Sequence, residues 1–209
     1  MAINYEFEKM IKECNDSHIS PVEINMSCPN IKGKRQLAYD FERLDEKLRY
    51  ITENYDYKFG IKLPPYFDPQ DVSLAHDVIS NYPTIDYITC INSLGNGLII
   101  DWMSESALIK PKNGIGGIGG DYCKPTGLAN VHMFHLENPK YKIIGCGGIR
   151  QASDVFEYIL CGASGVQVGT QFMREGPYVF ERIKGDLCKL VENNGYTKIV
   201  DFRGKLKKI

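Results

Sequence analysis

Apolar residues recur along this chain in two alternating rhythms. Phe7, Met10, Ile11 and Cys14 fall on one face of a helix over residues 5–16, and the short run Val22–Met26 that follows reads as a strand. Leu37, Phe41, Leu44, Leu48 and Ile51 return at three- and four-residue intervals, the stripe of an amphipathic helix that ends before a second strand, Tyr57–Lys62. The alternation continues with a helix over 69–81, a strand at Ile85–Ile91, a helix over Thr126–Leu136 with Thr126 as its N-cap, and a strand at Tyr141–Gly145. A helix over 151–161, a strand at Gly165–Gly169 and a helix over 177–193 close the series.

Strands that alternate with helices predict a parallel α/β sheet, and their apolar character predicts burial on both faces. The (β/α)8 TIM barrel is the natural candidate, yet the pattern supplies only five of its strands. Between Asn92 and Lys124 the chain is too long for an ordinary connection and dense in glycine, which marks it as part of a site.

Composition narrows the class. A chain of 209 residues, 43% hydrophobic and 24% charged, has material for one sizeable core. Its 25 basic and 26 acidic residues leave a net charge of -1, so no electrostatic footprint points to nucleic acid or an anionic membrane. A small-molecule partner is expected instead. Seven cysteines without C-x-x-C spacing argue against a disulfide framework and against a thiolate zinc site, so no metal is assigned. His132 and His135 lie three apart on a helix but lack an evident third ligand. No run approaches the roughly 18 apolar residues of a membrane span. The expected location is therefore cytoplasmic, with reduced thiols.

Polar candidates follow the strands in order: Asn25 and Cys28, Lys62, Asn92 and Ser93, Gly147-Gly148, then Gly169-Thr170. Barrel enzymes gather their sites at the carboxyl ends of strands, often with a phosphate site after the last two. In Asn25-Met26-Ser27-Cys28-Pro29-Asn30 a thiol stands in a turn stiffened by proline between two amides, a setting for a positioned base. The bland alternative for a lone cysteine is an ordinary buried thiol. Lys62 ends an apolar strand, where an ammonium calls for an anionic partner unless the side chain snorkels outward. Glycine turns before a helix let backbone N–H groups close on a phosphate.

These motifs, with Lys62-Leu63-Pro64-Pro65, Ile91-Asn92-Ser93-Leu94-Gly95-Asn96-Gly97, Gly116-Gly117-Ile118-Gly119-Gly120, Lys124-Pro125-Thr126 and Gly145-Cys146-Gly147-Gly148-Ile149, closely resemble the class 1A dihydroorotate dehydrogenases. The resemblance implies a (β/α)8 barrel of which this chain carries strands four to eight as a single FMN-binding domain, with the N-terminal third of the family fold absent. It implies oxidation of dihydroorotate to orotate by FMN in pyrimidine biosynthesis, with fumarate as electron acceptor and a homodimeric assembly. It makes Cys28 the general base, Asn25, Asn30, Asn92 and Ser93 substrate contacts, and Asn25, Lys62, Gly119, Gly120, Cys146, Gly147, Gly148, Gly169 and Thr170 the FMN site. Lys32, Lys34 and Arg35 fall in a segment that the family uses as a lid over the substrate. The membrane-associated branch carries serine in place of Cys28. The NAD-linked class 1B enzyme, which also uses a cysteine base, and a non-catalytic fragment of the family are the alternatives.

Overall fold

A computed structural model of the chain describes residues 7–18, 21–28 and 36–207. Its elements run α1 (Phe7–Asp16), β1 (Val22–Asn25), α2 (Phe41–Asn54), β2 (Phe59–Lys62), α3 (Pro69–Ile79) and β3 (Ile85–Cys90). Four short strands follow in the glycine-rich stretch: β4 (Leu94–Leu98), β5 (Ile100–Asp101), β6 (Ser106–Ala107) and β7 (Ile115–Ile118). The series ends with α4 (Lys124–Glu137), β8 (Ile143–Cys146), α5 (Ala152–Leu160), β9 (Gly165–Gln167), α6 (Thr170–Glu175) and α7 (Tyr178–Asn193).

Strands β1, β2, β3, β8 and β9 form one parallel sheet in that order. Each crossover carries at least one helix, as parallel pairing requires. The sheet is that of a (β/α)8 barrel which does not close among the described residues, as the five predicted strands imply.

Burial on both faces holds along Phe59–Ile61 of β2 and Ile88–Cys90 of β3 but fails at the polar positions of the sheet. Along β1, Val22 and Ile24 are buried whereas Glu23 and Asn25 stay partly accessible, and Lys62 and Gln167 follow suit on β2 and β9. One face is therefore apolar and packs on helices, while the concave face carries polar side chains. Leu44, Leu48 and Ile51 of α2 are fully buried with Ile24, Phe59 and Ile61 of the strands beneath. Each such side chain contributes about 1.5–3 kcal/mol relative to its exposed state. The Asp40 side chain accepts from the Arg43 backbone N–H and starts α2; Asp68 does the same from Gln70 for α3, with Pro69 in the first turn.

Thr126 is not an N-cap. Helix α4 already begins at Lys124, because Pro125 in its first turn lacks only an N–H that has no helical partner there. Helix α6 has no counterpart in the periodicity, being too short to show one. The glycine-rich stretch pairs β4 with β7 and β5 with β6, both antiparallel. Trp102, at the turn between β5 and β6, is 81% exposed. No helix among the described residues is long and apolar enough to cross a membrane.

Candidate active site

The carboxyl ends of β2, β3, β8 and β9 open onto a cleft with about 530 Å3 of empty space. Lys62, Asn92, Ser93, Gly119, Gly120, Cys146, Gly147, Gly148, Gly169 and Thr170 all line it. Ten of the residues singled out in the sequence thus converge from five separate segments. Ile149 of the Gly145–Ile149 motif lines it too, and Arg150, Asp121, Gln167, Gln171 and Arg174, which carry no motif of their own, complete much of the wall. Asn30 and the Lys32, Lys34 and Arg35 segment lie outside the described residues.

Lys62 ends β2 and points across the sheet. Its Nζ donates to Gln167 Oε1 at 3.1 Å and to Cys146 Sγ at 3.4 Å. Among the described residues it meets no carboxylate. A cation in a cleft with only uncharged partners is a receptor for an anion or an electron-rich ring edge.

The glycine turns open toward the same space. At Gly169 an added Cβ would meet nothing within 4 Å, and at Gly119 only the Thr170 hydroxyl at 3.5 Å. Their bare backbone faces the cleft, so the absence of a side chain there serves access and not internal packing. Gly147 and Gly148 differ: their φ values of +128° and +68° belong to glycine, and a Cβ on Gly148 would stand 2.6 Å from that of Lys124.

The helix after this turn does not offer its first amides to a ligand. Asp154 Oδ2 accepts from the backbone N–H groups of Arg150 at 2.8 Å and Gln151 at 3.0 Å, and its Oδ1 accepts from Lys124 Nζ at 2.5 Å. Burial pushes the Asp154 carboxyl up, but Lys124 and these two amides outweigh it and hold the group below its ordinary value.

The cysteine turn is held by a compact amide cluster. Asn25 Oδ1 accepts from Ser27 N at 3.0 Å and from Asn92 Nδ2 at 3.1 Å. Because the Ser27 backbone group can only donate, Asn25 Oδ1 is fixed as the acceptor and its NH2 has no partner among the described residues. Asn92 Nδ2 also donates to Ser27 O at 2.8 Å, and its Oδ1 accepts from Ser93 N at 2.8 Å. Asn92 therefore spends most of its amide tying the end of β1 to the loop after β3. Cys28, half-buried, extends from this cluster but is not part of the cleft wall.

Several supports escaped the sequence reading. Tyr158 of α5 lies against Gly127 and Gly145, where a Cβ would stand 2.1 Å from its hydroxyl and 2.4 Å from its ring. Asn130, fully buried, donates to Tyr66 O at 2.8 Å and accepts from Tyr66 N at 2.9 Å, anchoring the loop after β2. Glu23 Oε2 accepts from Thr89 Oγ1 at 2.5 Å and from Gln167 Nε2 at 2.8 Å. The signal for Glu23 was its two-residue spacing from Asn25 on a strand, which puts both on one face.

A curved parallel α/β sheet with a cationic, glycine-lined cleft at its strand ends defines a barrel-type protein built to hold an anionic small molecule. Comparison with known proteins gives it a family. The family model described as dihydroorotate dehydrogenase matches residues 4–191. A putative dihydroorotate dehydrogenase A (fumarate) from Streptococcus agalactiae is 51% identical over 92% of this chain and 61% of its own length. The dihydroorotate dehydrogenase (fumarate) of Kluyveromyces lactis is 48% identical over 96% of this chain and 64% of its own. Two crystal structures of DHODH from Eimeria tenella, one ligand-free and one with ferulenol, superpose with TM-scores of 0.75 and 0.77. Each covers 98% of this chain, and at 22% and 21% identity the likeness concerns the fold. The chain belongs to the dihydroorotate dehydrogenase family. It spans less than two-thirds of the length of the curated relatives.

Proposed function

We propose that this chain is the flavin- and substrate-binding part of a fumarate-type dihydroorotate dehydrogenase of pyrimidine biosynthesis, working in the cytoplasm as a homodimer. The observation that carries the proposal is Lys62, an ammonium without a carboxylate contact among the described residues, lining a cleft walled in part by bare glycine backbone. Those features fit FMN. Gly119, Gly120, Gly147, Gly148, Gly169 and Thr170 would hold its phosphate end, and Lys62, Cys146 and the Asn25 amide its ring. Bound FMN supplies the hydride acceptor for the oxidation.

Cys28 would take the proton from C5 of dihydroorotate as general base, and bound FMN would supply the acceptor for the hydride at C6. The free NH2 of Asn25, the Ser93 hydroxyl and the Asn30 and Asn92 amides suit the carbonyl and carboxylate groups of a pyrimidine acid. Asn92 also aligns the turn that presents Cys28. Fumarate would accept the electrons in the same site after orotate leaves. The names of the relatives favour this acceptor over NAD.

The test is anaerobic mixing of the FMN-loaded protein with dihydroorotate, followed by fumarate or NAD. Bleaching of the flavin by dihydroorotate and its recovery with fumarate are expected. A protein that loads FMN but is not bleached would overturn the substrate assignment. One that takes up no FMN, even when supplied with the part of its relatives that this chain does not span, is the non-catalytic fragment of the family.

A further inference from the structure

The sheet's two outer strands meet through their side chains. Gln167 of β9 and Glu23 of β1 are 144 positions apart and lie at opposite ends of the strand order, yet Gln167 Nε2 donates to Glu23 Oε2 at 2.8 Å. The concave curvature of the sheet brings them together above Thr89 of β3, whose hydroxyl donates to the same oxygen at 2.5 Å. Thr89 is fully buried. Among the described residues Glu23 has no salt bridge, and its side-chain partners there are two neutral donors.

A primary amide has two faces, and the direction in which it lies is decided by its neighbours. A carboxylate accepts only, so Glu23 takes the NH2 of Gln167 and turns the amide carbonyl the other way. That carbonyl receives Lys62 Nζ at 3.1 Å. With the amide reversed, its NH2 would face the Lys62 ammonium, donor against donor. Glu23 therefore decides whether Lys62 has an acceptor on this side or a repelling group. Cys146 Sγ, at 3.4 Å, is the weaker of the two partners left to the ammonium.

We propose that Glu23 is a positioning residue: through the Gln167 amide, it holds the Lys62 ammonium at the ring end of the cleft, where its charge favours reduced over oxidised FMN. The part concerning FMN rests on the function proposed above. The orientation of Gln167 and Lys62 does not.

The two ways in which Glu23 could influence a flavin have opposite signs. If the carboxylate acted only as a negative charge, removing it would make bound FMN easier to reduce. If it acts by holding Lys62, removing it makes FMN harder to reduce. Potentiometric titration of the FMN-loaded protein separates them. Glu23→Met should shift the midpoint negative, with about a tenfold loss in the preference for reduced flavin, or about 30 mV for a two-electron couple. Gln167→Met should do the same, and the double variant should shift no further, since both act on one contact. Glu23→Gln keeps an oxygen that can accept from Gln167 and Thr89, and should restore a midpoint at or above that of the unaltered protein. An unchanged or more positive midpoint in Glu23→Met would overturn the proposal.

A second measurement needs no flavin. In the FMN-free protein, the side-chain NH2 resonances of Gln167, identified by their loss in Gln167→Met, should move on Glu23→Met and largely return in Glu23→Gln. Resonances indifferent to Glu23→Met would overturn the relay. An unaltered protein that binds no FMN would overturn the flavin reading and leave the amide spectrum to decide the orientation.

Discussion

The Tyr158 hydroxyl donates to the Gly147 carbonyl at 2.8 Å, so a helix residue behind the sheet supports the turn that lines the cleft. The ring is fully buried, and burial raises the phenol far above its ordinary value, which keeps it a donor throughout the usable pH range. Tyr158→Phe would leave a buried carbonyl without its donor, a loss of about 1–3 kcal/mol. We expect FMN affinity to fall about tenfold, equivalent to about 1.4 kcal/mol. Fluorescence titration of FMN against wild type and variant checks this, with urea midpoints to measure any loss of stability. Equal affinities would mean that the turn holds its shape without Tyr158.

The polarity of these strands explains what the sequence could and could not disclose. Helices such as α2 announce themselves because Leu44, Leu48 and Ile51 must all face the sheet, and the period follows from that geometry. The motif residues were legible because cysteine, lysine and glycine at strand ends are costly or unusual without a purpose. Gln167 was not, since a lone glutamine near a strand end is unremarkable until curvature brings Glu23 to it. Asp154 was equally silent. A carboxylate in a helix's first turn is ordinary, and only the folded chain shows it taking the amides of Arg150 and Gln151. Thr126 misled because a good capping residue stood just inside a proline that had already begun the helix.

Asp154 gives the fold an acid limit. Its folded value is depressed, so its contribution to stability is present above the unfolded carboxyl value of about 3.9 and is lost as pH falls through the folded value. Asp154→Ala removes the cap from Arg150 and Gln151, but Lys124 keeps Glu157 at 2.8 Å, so the ammonium is not orphaned. The cost at neutral pH should therefore be about 0.5–2 kcal/mol, the usual range for a lost cap. Urea midpoints between neutral pH and about pH 3 should converge for wild type and variant as the acid limb is entered. A constant gap down to the lowest pH would place the stabilisation elsewhere.

Lys62 should matter more to reduced than to oxidised flavin. Lys62→Ala is expected to make bound FMN harder to reduce while weakening its binding far less, because the glycine backbone remains. Lys62→Arg should compensate only in part: the planar guanidinium cannot place a compact charge between Gln167 Oε1 and Cys146 Sγ. Midpoint potentials of the three proteins check this. The same potential in wild type and alanine variant would remove Lys62 from the ring end of the cleft.

Cys28 is the sharpest test of the chemistry, because its neighbours fix the turn without using its thiol. Ser27 Oγ donates to Lys62 O at 3.1 Å, and Asn92 holds Ser27 O at 2.8 Å, so the backbone around the cysteine should survive a change of its side chain. Cys28→Ala should accordingly leave FMN binding near the wild-type level while slowing flavin reduction by dihydroorotate. General-base contributions are typically about 10²–10⁴-fold, and a loss of that size is expected at neutral pH. The deficit should narrow as pH rises, since hydroxide can take the C5 proton when no thiol is present. Cys28→Ser retains a hydroxyl in the same turn and should recover part of the rate, with a steeper dependence on pH than the unaltered protein because an alcohol gives up its proton less readily. Stopped-flow bleaching of the flavin across a pH series distinguishes these outcomes. A reduction rate for Cys28→Ala that matches wild type at neutral pH would assign the proton to another group.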